Sequence, residues 1–381
     1  MNLGTHRVKL LEHQNEVWNS HKEPKQHTRT AKELEEMQTV NHSTVTEFII
    51  LGFSDIPELQ LLLFLGFLVI YLISLTGNFL IISAVCSDSH LHNPMFFFLI
   101  NLSFLEIFYV TVTVPRLLAM LITKIKAISF TACLTQLYLF LSCTCTEFYL
   151  LTAMAYDRYV AICNPLRYTI IMNKKVYGVL VAASWIIGFM DPLAHVVFAS
   201  RLIFCGSNII NHFFCDITAL MKLACSGAYF IEIVNYIVGS LFAFSPFLLT
   251  IASYVFIISA ILKIHSVEGR YKTFSTCSSH LTVVILFYGT SMGVYMRPSS
   301  AFSVNQNKLL TIVYITAIPL LNPLIYGLRN KELKCALWKT TRKVESYFSS
   351  KTETMRNMCL LTKHLSDNKR VYTAKADSMV K

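Results

Sequence analysis

Apolar residues in this chain run in blocks rather than alternating with polar ones. Leu61 to Leu65 is uninterrupted, and it opens a stretch that stays apolar as far as Cys86. Six more such stretches follow, from Met95 to Leu121, Cys133 to Val160, Val176 to Ala199, Phe230 to Leu262, Phe274 to Met296 and Leu309 to Leu328. A helix crosses the hydrocarbon core of a bilayer with about 20 apolar residues, so the pattern predicts seven membrane-crossing helices. Strands of a membrane barrel would be about 10 residues long and would alternate. A buried core helix explains one such block but not seven. The expected fold is all-α and membrane-embedded. A seven-transmembrane helix bundle occupies 61–328, after an extracellular segment at 1–60. A cytoplasmic tail at 329–381 begins with a short amphipathic helix.

Composition agrees with this reading. Charged residues are 14% of the chain, against roughly 25% in ordinary soluble domains. Lys and Arg set the orientation, because cytoplasmic loops carry their excess. Arg158, Arg167, Lys174 and Lys175 follow the third span, Lys263, Arg270 and Lys272 follow the fifth, and Arg329, Lys331 and Lys334 follow the seventh. If the spans alternate, all of these lie on one side, and the N-terminus is expected outside the cell. Most of the formal charge of +11 sits in the tail after Arg329, where it favours anionic lipid. No soluble basic domain is present to hold nucleic acid. A Gly-x-Gly-x-x-Gly run, a phosphate-binding loop and a His-Glu-x-x-His pair are all missing, so no enzyme is expected.

Residues 1–40 carry six basic and six acidic groups and no apolar core, unlike a cleavable signal peptide. Asn41-His42-Ser43 matches the N-glycosylation pattern on the expected outer side. Asn101-Leu102-Ser103 matches it too, but inside the second span. Cys133, Cys205, Cys215 and Cys225 belong to the same outer side, where disulfides persist, and four cysteines allow three pairings. Zinc is disfavoured because their ten-residue spacing lacks a tight Cys-x-x-Cys pair. Cys335, just past the last span, is either a palmitoylation site or a plain thiol.

Polar groups inside the spans carry the chemistry, since each is costly there. Glu106 and Glu147 fall near the midplane, with Asn78 and Asn322 at similar depth. Two carboxyls and two amides at one level either coordinate a small cation or share a proton, or they simply tie helices together. At the inner end of the third span, Asp157-Arg158-Tyr159 places an arginine beside a carboxylate that can hold it. Asn322 and Pro323, with Tyr326 one turn on, predict a kink whose freed carbonyls Asn322 would serve. A proton-coupled transporter with Glu106 and Glu147 as relay is an alternative of another class. Inverted repeats and broken helix pairs, which mark such transporters, are not evident.

These motifs resemble the rhodopsin-type G-protein-coupled receptors, and within them the olfactory receptors. The resemblance rests on Gly77-Asn78, Asn101-Leu102-Ser103 with Glu106, Leu91-His92-Asn93-Pro94-Met95, and Met154 through Asp157-Arg158-Tyr159 to Cys163. It also rests on Asn164-Pro165-Leu166-Arg167-Tyr168, Trp185, Ser253-Tyr254, Phe274 to Leu281, and Pro319 through Asn322-Pro323 to Asn330. The match covers about residues 41–340. It implies the pairings Cys133–Cys215 and Cys205–Cys225, and a sodium-binding region around Glu106 and Glu147, although most relatives with that ion carry Asp where Glu106 stands. No other cofactor is implied. Met37 resembles the usual family start, making 1–36 an extension.

The resemblance also implies a ligand pocket in the outer half of the bundle. On the third span Phe140, Thr144 and Glu147 share a face, flanked by Leu141 and Cys145. Family position adds Val238 and Phe242 on the fifth span, Tyr288, Ser291, Met292 and Tyr295 on the sixth, and Ile312 and Ile315 on the seventh. Asp191 and His195 on the fourth are polar candidates. The competing reading of each residue is ordinary helix packing. The expected ligand is a small, mostly apolar odorant. A monoamine is disfavoured because Phe140 stands where aminergic receptors carry Asp. The expected response is an outward swing of the sixth span that frees Arg158 from Asp157, with Tyr254 and Tyr326 repacking. A stimulatory G protein of the olfactory type would then bind and cAMP would rise. The expected location is the plasma membrane, on cilia of olfactory neurons. A rhodopsin-like receptor for a non-odorant ligand, such as a peptide, is the nearer alternative.

Overall fold

A computed structural model describes residues 45–53, 56–204, 207–226, 228–295, 304–330 and 332–342. The glycosylation triplet at Asn41, the segment 1–36, Cys205 and the tail beyond 342 lie outside the described residues.

Among the described residues, seven helices are long and apolar enough to cross a membrane. They are α1 (Pro57–Ser87), α2 (Pro94–Thr123), α3 (Phe130–Cys163), α4 (Lys174–Ser200), α5 (Ala228–Leu262), α6 (Val267–Tyr295) and a composite α7. Each expected span falls on one of them. Polar caps open several. Asn93 accepts from the Phe96 amide (3.2 Å) with Pro94 as the first helical residue, Ser129 accepts from Ala132, and Asn173 accepts from Lys175 and Val176. These side chains satisfy amides that have no carbonyl a turn earlier.

The helix α7 is built from Val304–Ile312, a wide π turn at Val313–Ala317, and Ile318–Arg329. Pro319 explains the wide turn. It has no N–H to give the carbonyl four residues back, so the ladder loosens there. Pro323 repeats the defect one turn later and leaves the Pro319 carbonyl without its helical donor. Asn78 of α1 supplies one, its Nδ2 lying 3.4 Å from that oxygen. The sequence predicts that Asn322 serves the freed carbonyl; instead Asn322 turns to Glu106. Gly77 allows the approach, since a Cβ there would lie 3.0 Å from the Pro323 ring.

A short helix at 332–342 follows α7. Asn330 caps it by accepting from the Glu332 and Leu333 amides. Leu333 and Ala336 are buried, while Cys335 and Trp338 face outward and Arg342 lies over the Trp338 ring at 4.0 Å. That is the expected amphipathic helix, and Lys339 ties it to Asp88 beyond α1 at 3.4 Å.

The most enclosed helix is α3. Its seam with α4 is close because Gly188 lies on Thr146; a Cβ there would meet Thr146 backbone atoms at 2.7 Å. Tyr138 donates to the Phe189 carbonyl (3.0 Å), closing the same seam, and Trp185 donates to Asn101 of α2 (3.2 Å). The other faces of α1, α4 and α5 carry exposed Leu, Ile and Phe, as surfaces against lipid tails do.

The loops at the end where α3 begins are stitched by small sheets. Strand β1 (Glu47–Ile50) pairs antiparallel with β2 (Ala127–Ser129) and parallel with β4 (Ile209–Ile210). Strand β3 (Ile203–Phe204) pairs with β5 (Ala224–Ser226). Phe48 and Ile50 point inward and are fully buried, Phe48 against Phe130 and Phe204.

Candidate functional site

Cys133, in the first turn of α3, is bonded to Cys215 in the loop between α4 and α5. Cys225 is also in a disulfide; Cys205, its implied partner, is outside the described residues. The first bridge seats the loop on the bundle. Gln136 of α3 accepts from the Cys215 amide at 3.2 Å and donates to the Val112 carbonyl of α2 at 3.1 Å. The loop then sends three rings inward, His212, Phe213 and Phe214, stacked or tilted on one another at 4.6–5.2 Å. Phe213 also stacks on Phe53 at 4.8 Å, and Gly52 donates to the His212 carbonyl. His212 is 2% exposed, with hydrogen bonds to neither ring nitrogen. Burial, opposed by the Asp216 carboxylate and reinforced by Lys308, lowers its pKa to about 4.

Below the loop lie the residues expected to line a ligand pocket. Phe140 is fully buried and meets Phe214 at 4.8 Å, Tyr109 at 5.4 Å and Tyr314 at 6.3 Å. Thr144 accepts from the Tyr314 hydroxyl at 2.9 Å. Ile315, Tyr288 and Ser291 are buried, and Leu141, Cys145, Phe242, Met292 and Ile312 are half-buried. Ser291 donates to the Phe287 carbonyl in its own helix, so its hydroxyl is already engaged. Val238 and Tyr295 belong to α5 and α6, but their side chains lie outside the described set. Sequence reasoning passed over Tyr314 between the two isoleucines it chose. The available signal was a lone tyrosine in an apolar turn, whose hydroxyl must find a partner.

Tyr314 links this level to the next. Its ring lies 5.7 Å from Phe287, and Phe287 and Tyr288 both pack on Phe148 of α3, at 4.7 and 5.0 Å. Thr152 gathers three helices at that depth. Its hydroxyl shares hydrogen bonds with Thr250 (3.0 Å) and Tyr288 (3.3 Å) and donates to the Pro246 carbonyl (3.1 Å). On the α2–α3–α7 side, Asn322 donates to Glu106 and lies within hydrogen-bonding reach of Glu147, as the two carboxyls do of each other. One oxygen on each, Glu106 Oε2 and Glu147 Oε1, is buried with no hydrogen-bond partner. Asn78 stands one contact away, on the Pro319 carbonyl. Glu106, Glu147 and Asn322 therefore come together and Asn78 does not join them, while no group of three or more His, Cys, Asp or Glu side chains that could hold a metal forms among the described residues.

At the opposite end from the disulfide, Arg158 is paired with Asp157, its Nε donating at 3.0 Å. Tyr168, on a helical turn at Tyr168–Ile171, donates to the other Asp157 oxygen at 2.7 Å. Burial, then the Asp157 charge, hold the Tyr168 phenol well above the usual tyrosine range, so it remains a donor. Tyr254 shares a hydrogen bond of 2.6 Å with His280 Nδ1 and stacks on its ring. Tyr159 packs nearby, against the cluster containing Tyr254. Tyr326, below Pro323, is buried with its hydroxyl unpartnered.

Seven spans, an α3 bonded to the following loop, and an Asp-Arg pair at its far end describe one architecture, and comparison with known proteins decides the family. The olfactory receptor family matches residues 67–343. The chain belongs to the olfactory receptor family. Mouse olfactory receptor 5AR1 is 48% identical over 303 residues, covering 80% of this chain and 98% of the relative. Human olfactory receptor 6Y1 is 48% identical over 304 residues (80% and 94%), and human olfactory receptor 8D4 is 47% identical over 307 residues (81% and 98%). This olfactory receptor is thus a multi-pass membrane protein of the G-protein-coupled class, not an enzyme. Odorants and G proteins are the partners of its family.

Proposed function

We propose that this receptor binds a small, mostly apolar volatile molecule in the outer half of the bundle and answers through a stimulatory, olfactory-type G protein, raising cAMP. The observation that carries the reading is a continuous path of rings and hydroxyls. It runs from Phe214 through Phe140 and Tyr314 to Phe287 and Tyr288, and from there to Thr152. A ligand beside Phe140 and Thr144 displaces or presses on Tyr314, and that shifts the packing of α6 on α3. Binding then favours a state in which the Tyr254–His280 pair parts, Arg158 leaves Asp157, and a cleft opens for the G protein. Apolar burial supplies most of the affinity, at about 25 cal/mol per Å². The disulfide end faces outward, as the Lys and Arg distribution favours, and the working location is the plasma membrane of sensory cilia.

The same reading gives sodium a place. Glu106 Oε2 and Glu147 Oε1 are oxygen donors without partners, which suits a hard cation. Asn78 and Asn322 would hold the surrounding helices.

The test is a broad odorant panel on surface-displayed receptor with a cAMP readout. At least one small volatile compound should evoke a saturable response, and Arg158→Ala should abolish it at equal surface level. Substrate uptake that survives Arg158→Ala, with no cAMP response, would establish a transporter instead.

A further inference from the structure

The seam between α3 and α4 holds a polar cluster that the path above does not use. The buried stripe of α4 runs through Val181, Ser184, Gly188, Pro192, His195 and Ala199, on the face that Gly188 brings against α3. Asp191 and His195 are four residues apart on that side, within electrostatic reach of each other. Across the seam, the Cys145 thiol donates to Asp191 Oδ2 at 3.3 Å. Tyr149, one turn along α3, reaches Ser245 of α5 and interacts with Asp191. Two atoms remain without partners. Asp191 Oδ1 and His195 Nδ1 are both buried and make no hydrogen bond, and His195 is 9% exposed. Bare polar atoms cost stability in an apolar bundle, and here Asp191 is bonded to Cys145, which flanks the side of α3 proposed above to face the ligand.

We infer that Asp191 and His195 form the polar anchor of the ligand site, and that the ligand they select carries a hydroxyl group. The inference rests on the odorant reading above and adds the ligand class to it. A hydroxyl both gives and takes one hydrogen bond. With an ionised carboxyl and a protonated Nδ1, it donates to Oδ1 and accepts from Nδ1. With the proton on the carboxyl and Nδ1 bare, it accepts from the acid and donates to the ring. It satisfies both atoms in either arrangement. A carbonyl only accepts and leaves one atom bare, and a hydrocarbon leaves both. An ammonium donates, but has to shed its water in a site lined by Phe and Leu.

The experiment compares one carbon skeleton as alcohol, aldehyde, alkane and primary amine, on surface-displayed receptor with a cAMP readout. The alcohol should act at a concentration about tenfold below the aldehyde, and further below the alkane. Asp191→Leu and, separately, His195→Phe should shrink that ratio toward one while the alkane response holds. The ratio is taken within each variant, so it does not depend on expression level. Should Asp191→Leu fail to reach the surface, His195→Phe and the unmodified receptor's own ratio decide. Equal potency of alcohol and aldehyde, preference for the amine, or an unchanged ratio in both displayed variants would overturn the inference. A displayed receptor silent to the whole volatile panel would overturn the odorant reading on which it rests.

Discussion

Single atoms decide how closely two helices lie. Gly188 has no side chain because Thr146 backbone atoms occupy the place a Cβ would take. Replacing it with Ala forces α3 and α4 apart, and overpacking of this kind costs about 1–3 kcal/mol. Gly188→Ala should therefore lower the melting temperature of detergent-purified receptor and reduce its surface level. The Met190→Ala change, on the exposed side of α4, should alter neither. Tyr168 offers a second test. Its bond to Asp157 restrains the carboxylate that holds Arg158. Tyr168→Phe removes one hydrogen bond to a charged group, worth about 1.5–3 kcal/mol. Ligand-independent cAMP should rise at constant surface level, and unchanged basal signalling would show that the bond has no part in restraint. Asp157 and Arg158 were readable as neighbours in sequence. Tyr168 was readable only as part of a motif, because the chain must reverse before its hydroxyl meets the carboxylate.

Among the elements, α7 departs furthest from regular geometry, and its two prolines say why. Pro323 frees the Pro319 carbonyl and Asn78 of α1 occupies it. A double-mutant cycle isolates that relation. Asn78→Ala alone should destabilise by about 1–3 kcal/mol, the cost of a buried unpaired acceptor. In the Pro323→Ala background the helix supplies its own amide, and the same change should cost clearly less. Thermal unfolding of the four receptors reads the coupling, and strict additivity would refute it. The seven spans themselves were legible in the sequence, since lipid demands long apolar blocks and nothing else in the chain resembles them. The carbonyl freed by Pro323 was legible too, while the irregular turn itself lies earlier, at Val313–Ala317. The carbonyl's partner was not, because Asn322 and Asn78 are both buried amides, and only the packing of α1 on α7 assigns the carbonyl to one and Glu106 to the other.

In the whole molecule, the loop-and-strand cover is the part composition said least about. Its cysteines announced bridges, but β1, β2 and β4 are two to four residues long, too short to leave a period in sequence. The cover buries a titratable ring, His212, whose two nitrogens make no hydrogen bond. His212 stays neutral down to about pH 4 in its seat, with Asp216 and Lys308 the charges that act on it. An exposed histidine takes up a proton near pH 6.5. Between those values the displaced loop binds more protons than the seated one, so the seat weakens as pH falls from about 6.5 toward 4. Hydrogen exchange of residues 209–216 should quicken over that range, and His212→Phe should flatten the dependence. The cover also sets an order of assembly. The edge Glu47–Ile50 emerges from the ribosome before any of the seven membrane-crossing helices, yet its mates at 127–129 and 209–210 arrive some 80 and 160 positions later. Strand β1 is thus among the last to be fully seated, and a chain stalled before the fourth crossing would hold β2 but not β4, leaving one edge of β1 open.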